Sequence, residues 1–184
     1  MSAVTVFLGL GSNLGNRQRS IERAAELLSE ALESIQLSTI YTAPPMYEER
    51  QPEFLNAVLR GKTQLSPTKL LGLVKQIEAD MGRTPGPKHG PRILDIDILF
   101  YGNQVVDMPT LTIPHPGIPE RPFVLAPLAE IAPEVRHPVM GSTSAEMLKR
   151  IGGAGDVKPF DAVAAYWAGL QRGRHPIPLR DWPG

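Results

Sequence analysis

The chain has no cysteine at all. That excludes a disulfide framework, thiolate catalysis and a cysteine-ligated zinc site, and it is compatible with a reducing compartment. Nor is there an excess of either charge, since 19 basic side chains face 19 acidic ones. Such a balance, without aromatic residues interleaved among basic ones, argues against a broad nucleic-acid-binding surface while allowing a small cationic pocket. Long apolar runs are missing too. The opening "MSAVTVFLGLGSN" lacks a basic leader, and its apolar stretch is too short to span a bilayer. No internal repeat is visible. What remains is 184 residues, 42% hydrophobic, which fits one ordinary soluble domain, read as cytoplasmic, unprocessed and monomeric.

Within those limits the hydrophobic spacing gives an element order. Val4, Val6 and Leu8 alternate with Thr5 and Phe7, predicting a strand near 3–9. Ser12 or Asn13 then offers a cap for an amphipathic helix over 16–32, whose apolar face runs through Ile21, Ala24, Ala25, Leu28 and Leu32. "SIQLSTIYT" reads as a second strand and residues 53–65 as a third. Ser66-Pro67 opens a second helix carrying Leu70, Leu71, Val74, Ile77 and Met81, which Gly82 ends. The loop "RTPGPKHGPR" leads into a strand at "LDIDILFYG", which Gly102-Asn103 turns back into "QVVD". Strand, helix, strand, strand, helix, strand is the split βαβ order. It predicts an α+β fold with a ferredoxin-like βαββαβ core, helices on one sheet face and an additional hairpin. A shorter helix is expected over 142–151, capped by Ser142 or Ser144. Beyond it lies a Gly/Pro-rich C-terminal extension, helical at most over 162–170 and otherwise irregular.

Two aspartates interrupt the apolar strand "LDIDILFYG", although aspartate is depleted in strands. Asp95 and Asp97 fall on one face, with Cα atoms roughly 6–7 Å apart by strand rise. Both can then reach one hard cation or bridge a pair, and carboxylates with substrate phosphates are the usual surroundings of Mg²⁺. A solvent-facing strand side would read the same way. Arg83, Lys88, His89 and Arg92 lie just upstream, however, and cations beside a carboxylate pair suit nucleoside triphosphate chemistry. "GLGSNLGNR" misses the G-x-G-x-x-G spacing by one and lacks a P-loop ending, so it reads as a turn and cap. In "TIPHPGIPERPFVLAPL", His115 sits between prolines ahead of Arg121 and Phe123. Near a metal site His115 becomes a phosphate donor rather than a structural histidine. Phe123 and Phe54 are either core residues or flat surfaces for a planar heterocycle. From the residues alone, a metal-dependent phosphoryl or nucleotidyl transferase ranks above a ferredoxin-like small-molecule sensor.

Five segments, "GLGSNLGN", "YTAPPM", "QPEFLNAV", "GPRILDIDILFYG" and "IPHPGIPERPFVLAPL", together resemble the 6-hydroxymethyl-7,8-dihydropterin pyrophosphokinase family of folate biosynthesis, in order and approximate spacing over about residues 4–150. The resemblance implies a pyrophosphokinase domain over 1–151 and an extension over 152–184. It implies an ATP- and Mg²⁺-dependent diphosphotransferase acting on the pterin and releasing AMP, with ATP as co-substrate and two Mg²⁺ ions on Asp95 and Asp97. Arg83 and Arg92 would act with the aspartates in catalysis. Glu78, Lys88, Arg92, Ile98, Thr112, His115 and Arg121 would serve ATP. Phe54 and Phe123 would sandwich the pterin, whose edge would meet Asn56 and main-chain groups of Ala43, Pro44, Pro45 and Met46. The sequence departs from many relatives at Ala43 (threonine), Phe54 (tyrosine) and His89 (tryptophan). Thr110 and Pro116 stand where some relatives carry arginine and tyrosine.

Overall fold

The computed structural model describes residues 2–44, 52–83 and 92–161. Strand β1 (Val4–Ser12) runs through the middle of the sheet and leads into helix α1 (Arg17–Ser29). Strands β2 (Glu33–Leu37), β3 (Tyr41–Ala43) and β4 (Phe54–Thr63) follow, then α2 (Pro67–Asp80) and β5 (Asp95–Tyr101). After β6 (Val106–Met108) and β7 (Leu111–Ile113) come a 3-10 turn at Ile118–Glu120, α3 (Pro122–Ile131), α4 (Ser144–Arg150) and β8 (Lys158–Pro159). The described strands form an antiparallel sheet in the order β5-β1-β4-β3-β8, with β2 beside β3 along the same edge of β4. No helix among the described residues is long and apolar enough to cross a membrane.

One face of this sheet carries Val6, Leu8, Leu10, Leu55, Leu59, Ile96 and Ile98 against α1 and α2, through Ile21, Leu28, Leu70 and Val74. Alternation puts the remaining strand residues on the other face, and that face is covered as well. Phe7, Val58, Leu99 and Phe100 meet Val124, Leu125 and Leu128 of α3 and Met147 of α4. The expectation of helices on one face is therefore corrected: a second helical layer closes the sheet. Pro122 starts α3 where a missing N–H costs nothing, and Pro127 lies inside it. At Pro127 the ladder loses the N–H that would reach back to Phe123.

Smaller corrections have local causes. The single strand expected over "SIQLSTIYT" is two, β2 and β3, separated where Ser38 turns its amide to Val58 O (2.9 Å) and its hydroxyl accepts from Val58 N (2.9 Å). Asn16, rather than Ser12 or Asn13, caps α1 by accepting from Arg19 N. Thr143, rather than Ser142 or Ser144, caps α4 in a capping box with Glu146. "QVVD" does not fold back on β5; β6 pairs with β7 as a separate hairpin. The sheet continues past residue 151, where β8 pairs with Tyr41 and Thr42 and Val157 is buried beside Ala43 and Ala126.

Candidate active site

The register of the three central strands builds a floor. Asp95 lies opposite Gly11, which lies opposite Asn56; Asp97 lies opposite Gly9, which lies opposite Val58. Directly paired residues share a face, so both aspartates and Asn56 project toward the α3 side with glycine between them. A side chain at Gly11 would start 3.3 Å from Asn56 Oδ1, so the glycine keeps the space between carboxylates and amide open. Asn56 is 6% exposed, and its Nδ2 has no hydrogen-bond partner among the described residues. A buried donor without a partner is rare in a folded protein and calls for an explanation.

Cations crowd the aspartate end. Asp95 takes Arg83 Nη1 on Oδ1 and Arg92 Nη1 on Oδ2, both at 2.8 Å. Asp97 Oδ2 faces His115 Nε2 at 3.7 Å and Arg121 Nη1 at 3.9 Å. Burial and the neighbouring Asp95 carboxylate push the Asp97 carboxyl above its ordinary range, against the pull of His115 and Arg121. Burial likewise pushes His115 down. His115 Nδ1 accepts from Gly117 N (3.0 Å), which leaves the Nε2 proton directed at Asp97.

Each cation is held by a local device. Helix α2 ends in a Schellman motif: Gly82, at φ +88, donates to Ala79 O and Arg83 donates its amide to Glu78 O. The turn aims the Arg83 guanidinium back at Glu78 and out to Asp95. Glu78 is 2% exposed and accepts from Ile96 N at 2.7 Å, so it ties α2 to β5 between the two aspartates. Asn13 holds Arg92 reciprocally, accepting from Arg92 N at 2.7 Å and donating its own amide to Arg92 O at 3.1 Å. Its part in the site was not read from the sequence; a buried amide ending a central strand is the signal that could have found it. A β-bulge at Leu99 turns that residue's carbonyl to His115 N (3.0 Å) and so places the histidine over Asp97. Gly117 leaves room for Arg121, since a Cβ there would lie 2.5 Å from Arg121 Nε.

The other end of the floor is mostly apolar, with Glu120 and Asp156 the charged residues lining its cavity. Phe123 stands in the first turn of α3 with the Arg121 guanidinium 5.8 Å from its ring centroid. Ala43 is buried against Ala126 and Val157, with Phe123 packed on the same cluster. Ala43, Pro44 and Phe123 share a cavity of about 300 Å³ with the loop 151–157. Phe54, half-buried, opens β4 opposite Ala43. The expected residues are thus gathered from β3, β4, β5, α2 and α3. Ile98 turns its side chain into the α1/α2 core, and Thr112 is exposed on β7. Pro45, Met46, Lys88 and His89 lie outside the described residues.

Residues 7–133 match the family model of 7,8-dihydro-6-hydroxymethylpterin-pyrophosphokinase (HPPK). The chain belongs to this family. It is 43% identical over 159 residues to the 2-amino-4-hydroxy-6-hydroxymethyldihydropteridine pyrophosphokinase of Aquifex aeolicus, covering 86% of this chain and 97% of that one. It is 41% identical over 155 residues to the folic acid synthesis protein fol1 of Pneumocystis carinii, covering 84% of this chain but 21% of that protein. The wild-type Plasmodium falciparum HPPK-DHPS with pteroate shares the fold, with a TM-score of 0.66 at 19% identity over 81% of this chain and 42% of that one. The chain thus spans nearly all of the first of these relatives and less than half of the other two.

Proposed function

We propose that the protein transfers the pyrophosphoryl group of ATP to the hydroxymethyl oxygen of 6-hydroxymethyl-7,8-dihydropterin, giving the pterin diphosphate and AMP in folate biosynthesis. Family membership supports the reaction. The observation that carries the site is its floor, with Asp95 and Asp97 at one end, glycine in the middle and the unpartnered Asn56 amide at the other. The sheet order, with α1 and α2 on one face, supports reading the core as ferredoxin-like, extended by the β6–β7 hairpin and the α3–α4 layer.

No three carboxylate or imidazole groups converge on one point among the described residues. Two partly buried carboxylates on one strand face instead suit cations that keep waters and take oxygens from substrate phosphates. Asp95 and Asp97 would hold two Mg²⁺ ions, which when bound supply neutralisation of the triphosphate charge. Arg83, Arg92 and Arg121 pair with the aspartates and would turn to phosphate oxygens, while the His115 Nε2–H would supply a further donor. At the far end Phe123 and Phe54 offer stacking faces, and Asn56 Nδ2 donates to the pterin edge. So held, the hydroxymethyl oxygen attacks the β-phosphorus as the bond to the AMP oxygen breaks, and alignment does most of the work. Product analysis tests the reaction. Purified protein with ATP, Mg²⁺ and the pterin should release AMP only when all are present. Release of ADP would mean ordinary kinase chemistry, and neither product from folded protein would reject the reading.

A further inference from the structure

Both walls of the apolar end are joined at a point remote from the cavity. Glu130, near the end of α3, accepts from Thr39 N at 2.9 Å and from Thr39 Oγ1 at 3.0 Å on one carboxylate oxygen. Its other oxygen accepts from Tyr41 OH at 2.6 Å. Three hydrogen bonds from one carboxylate therefore tie α3 to the start of β3. Partial burial opposes the charge on Glu130, but the donors from Thr39 and Tyr41 outweigh it and hold its pKa below the usual value. Burial, reinforced by that carboxylate, pushes the Tyr41 phenol up to about 12, so it remains a donor at neutral pH.

From this latch the two elements run toward the cavity. Seven residues back along α3, about 10 Å by helix rise, stands Phe123. Two residues on along β3, roughly 7 Å by strand rise, stands Ala43. Between latch and cavity the contact is made by Ala43 and Ala126, two small side chains that pin the spacing weakly by themselves. Tyr41 is also the register partner of Asn56 on β4, so the latch borders the residue whose amide has no described partner.

We propose that Glu130 is a positioning residue for the pterin, setting the spacing between Phe123 on α3 and the Ala43–Asn56 side of the cleft. The inference rests on the pterin reading of that end. It predicts an effect confined to one substrate, because Glu130 touches none of the cations around Asp95 and Asp97.

The test is steady-state kinetics with direct pterin binding on Glu130→Ala, Glu130→Gln and Tyr41→Phe. Glu130→Ala should raise KM and Kd for the pterin by about five- to tenfold while kcat and the KM for ATP move less than about twofold. Glu130→Gln, which keeps an acceptor for Thr39, should recover most of that loss, and Tyr41→Phe should cause a smaller loss of the same kind. Equal losses for both substrates, or an unchanged pterin KM, would overturn the proposal. If Glu130→Ala does not fold, Tyr41→Phe decides by the same split. Phe123→Ala separates the two readings. If it weakens pterin binding and the latch variants do not, positioning fails alone; if it does not, the pterin assignment fails with it.

Discussion

The two ends of the cleft floor are built on opposite terms. At the β5 end, two carboxylates are met by three arginines and a histidine, each cation fixed by a turn, a bulge or a main-chain clamp. At the β3–β4 end the lining is mostly apolar, with Glu120 and Asp156 its charged members, and a buried amide nitrogen of Asn56 has no described partner. At the first end the cations are already paired with carboxylates, and on the proposed reading they would exchange partners when a triphosphate arrives. At the second end there is little to exchange, so on the same reading affinity would depend on wall spacing and on one donor already in place. A triphosphate at one end and a flat heterocycle at the other would suit this division, because charge neutralisation tolerates adjustment and stacking does not.

Removing charge from the first end should have the largest effect. Asp95→Asn with Asp97→Asn is expected to lower kcat by about a thousandfold or more while the pterin Kd stays within about twofold. Turnover and equilibrium binding on the same preparation check this, and full activity would mean the carboxylates hold no metal. Next comes the apolar end. Phe123→Ala or Phe54→Ala should weaken pterin binding by about ten- to a hundredfold, the scale of one lost stacking face, with ATP binding little changed. Equal losses for both ligands would erase the division between the ends.

A finer test moves a cation without deleting it. Gly117 has an ordinary helical backbone (φ −79, ψ −8), so alanine fits the chain there, but its methyl would occupy the place of the Arg121 side chain. Gly117→Ala should raise the KM for ATP by about three- to tenfold and shift Tm by no more than about 2 °C, because a flexible side chain yields more cheaply than backbone. An unchanged KM for ATP would show that Arg121 does not serve the triphosphate.

How far the sequence disclosed this depended on the distance between cause and effect. The Asp95–Asp97 pair was legible because strand alternation is local, and Gly82 because a helix end signals itself within four residues. The cap of α1 was misassigned because Ser12, Asn13 and Asn16 compete within five positions, and backbone geometry decides among them. Asn13 turned out to serve Arg92, a partner 79 residues away that no local pattern reveals. Helix α3 was missed for another reason. "PFVLAPLAEI" is apolar on several sides and carries Pro127, so it shows no clear helical stripe until a second sheet face is there to cover it. The latch at Glu130 depends on α3 and was hidden with it.

The smallest expected effect lies away from both ends and shows whether β5 is supported independently of its charges. His137 is 7% exposed, stacks edge-on to Phe100 at 5.8 Å and accepts at Nδ1 from Val139 N and Met140 N. Those bonds need the neutral ring, and burial pushes its pKa below the ordinary value of about 6.5. A folded-state pKa below the unfolded one means that the unfolded chain binds the extra proton first. The contribution of His137 is therefore complete above about pH 6.5 and declines as pH falls from there toward the folded pKa. Between pH 7 and pH 5, the wild type should lose about 1–3 °C more in Tm than His137→Asn, which keeps an acceptor without titrating. Comparing the two proteins cancels the carboxylates they share, including Asp95 and Asp97. Parallel Tm curves would show that the packing behind β5 is indifferent to pH.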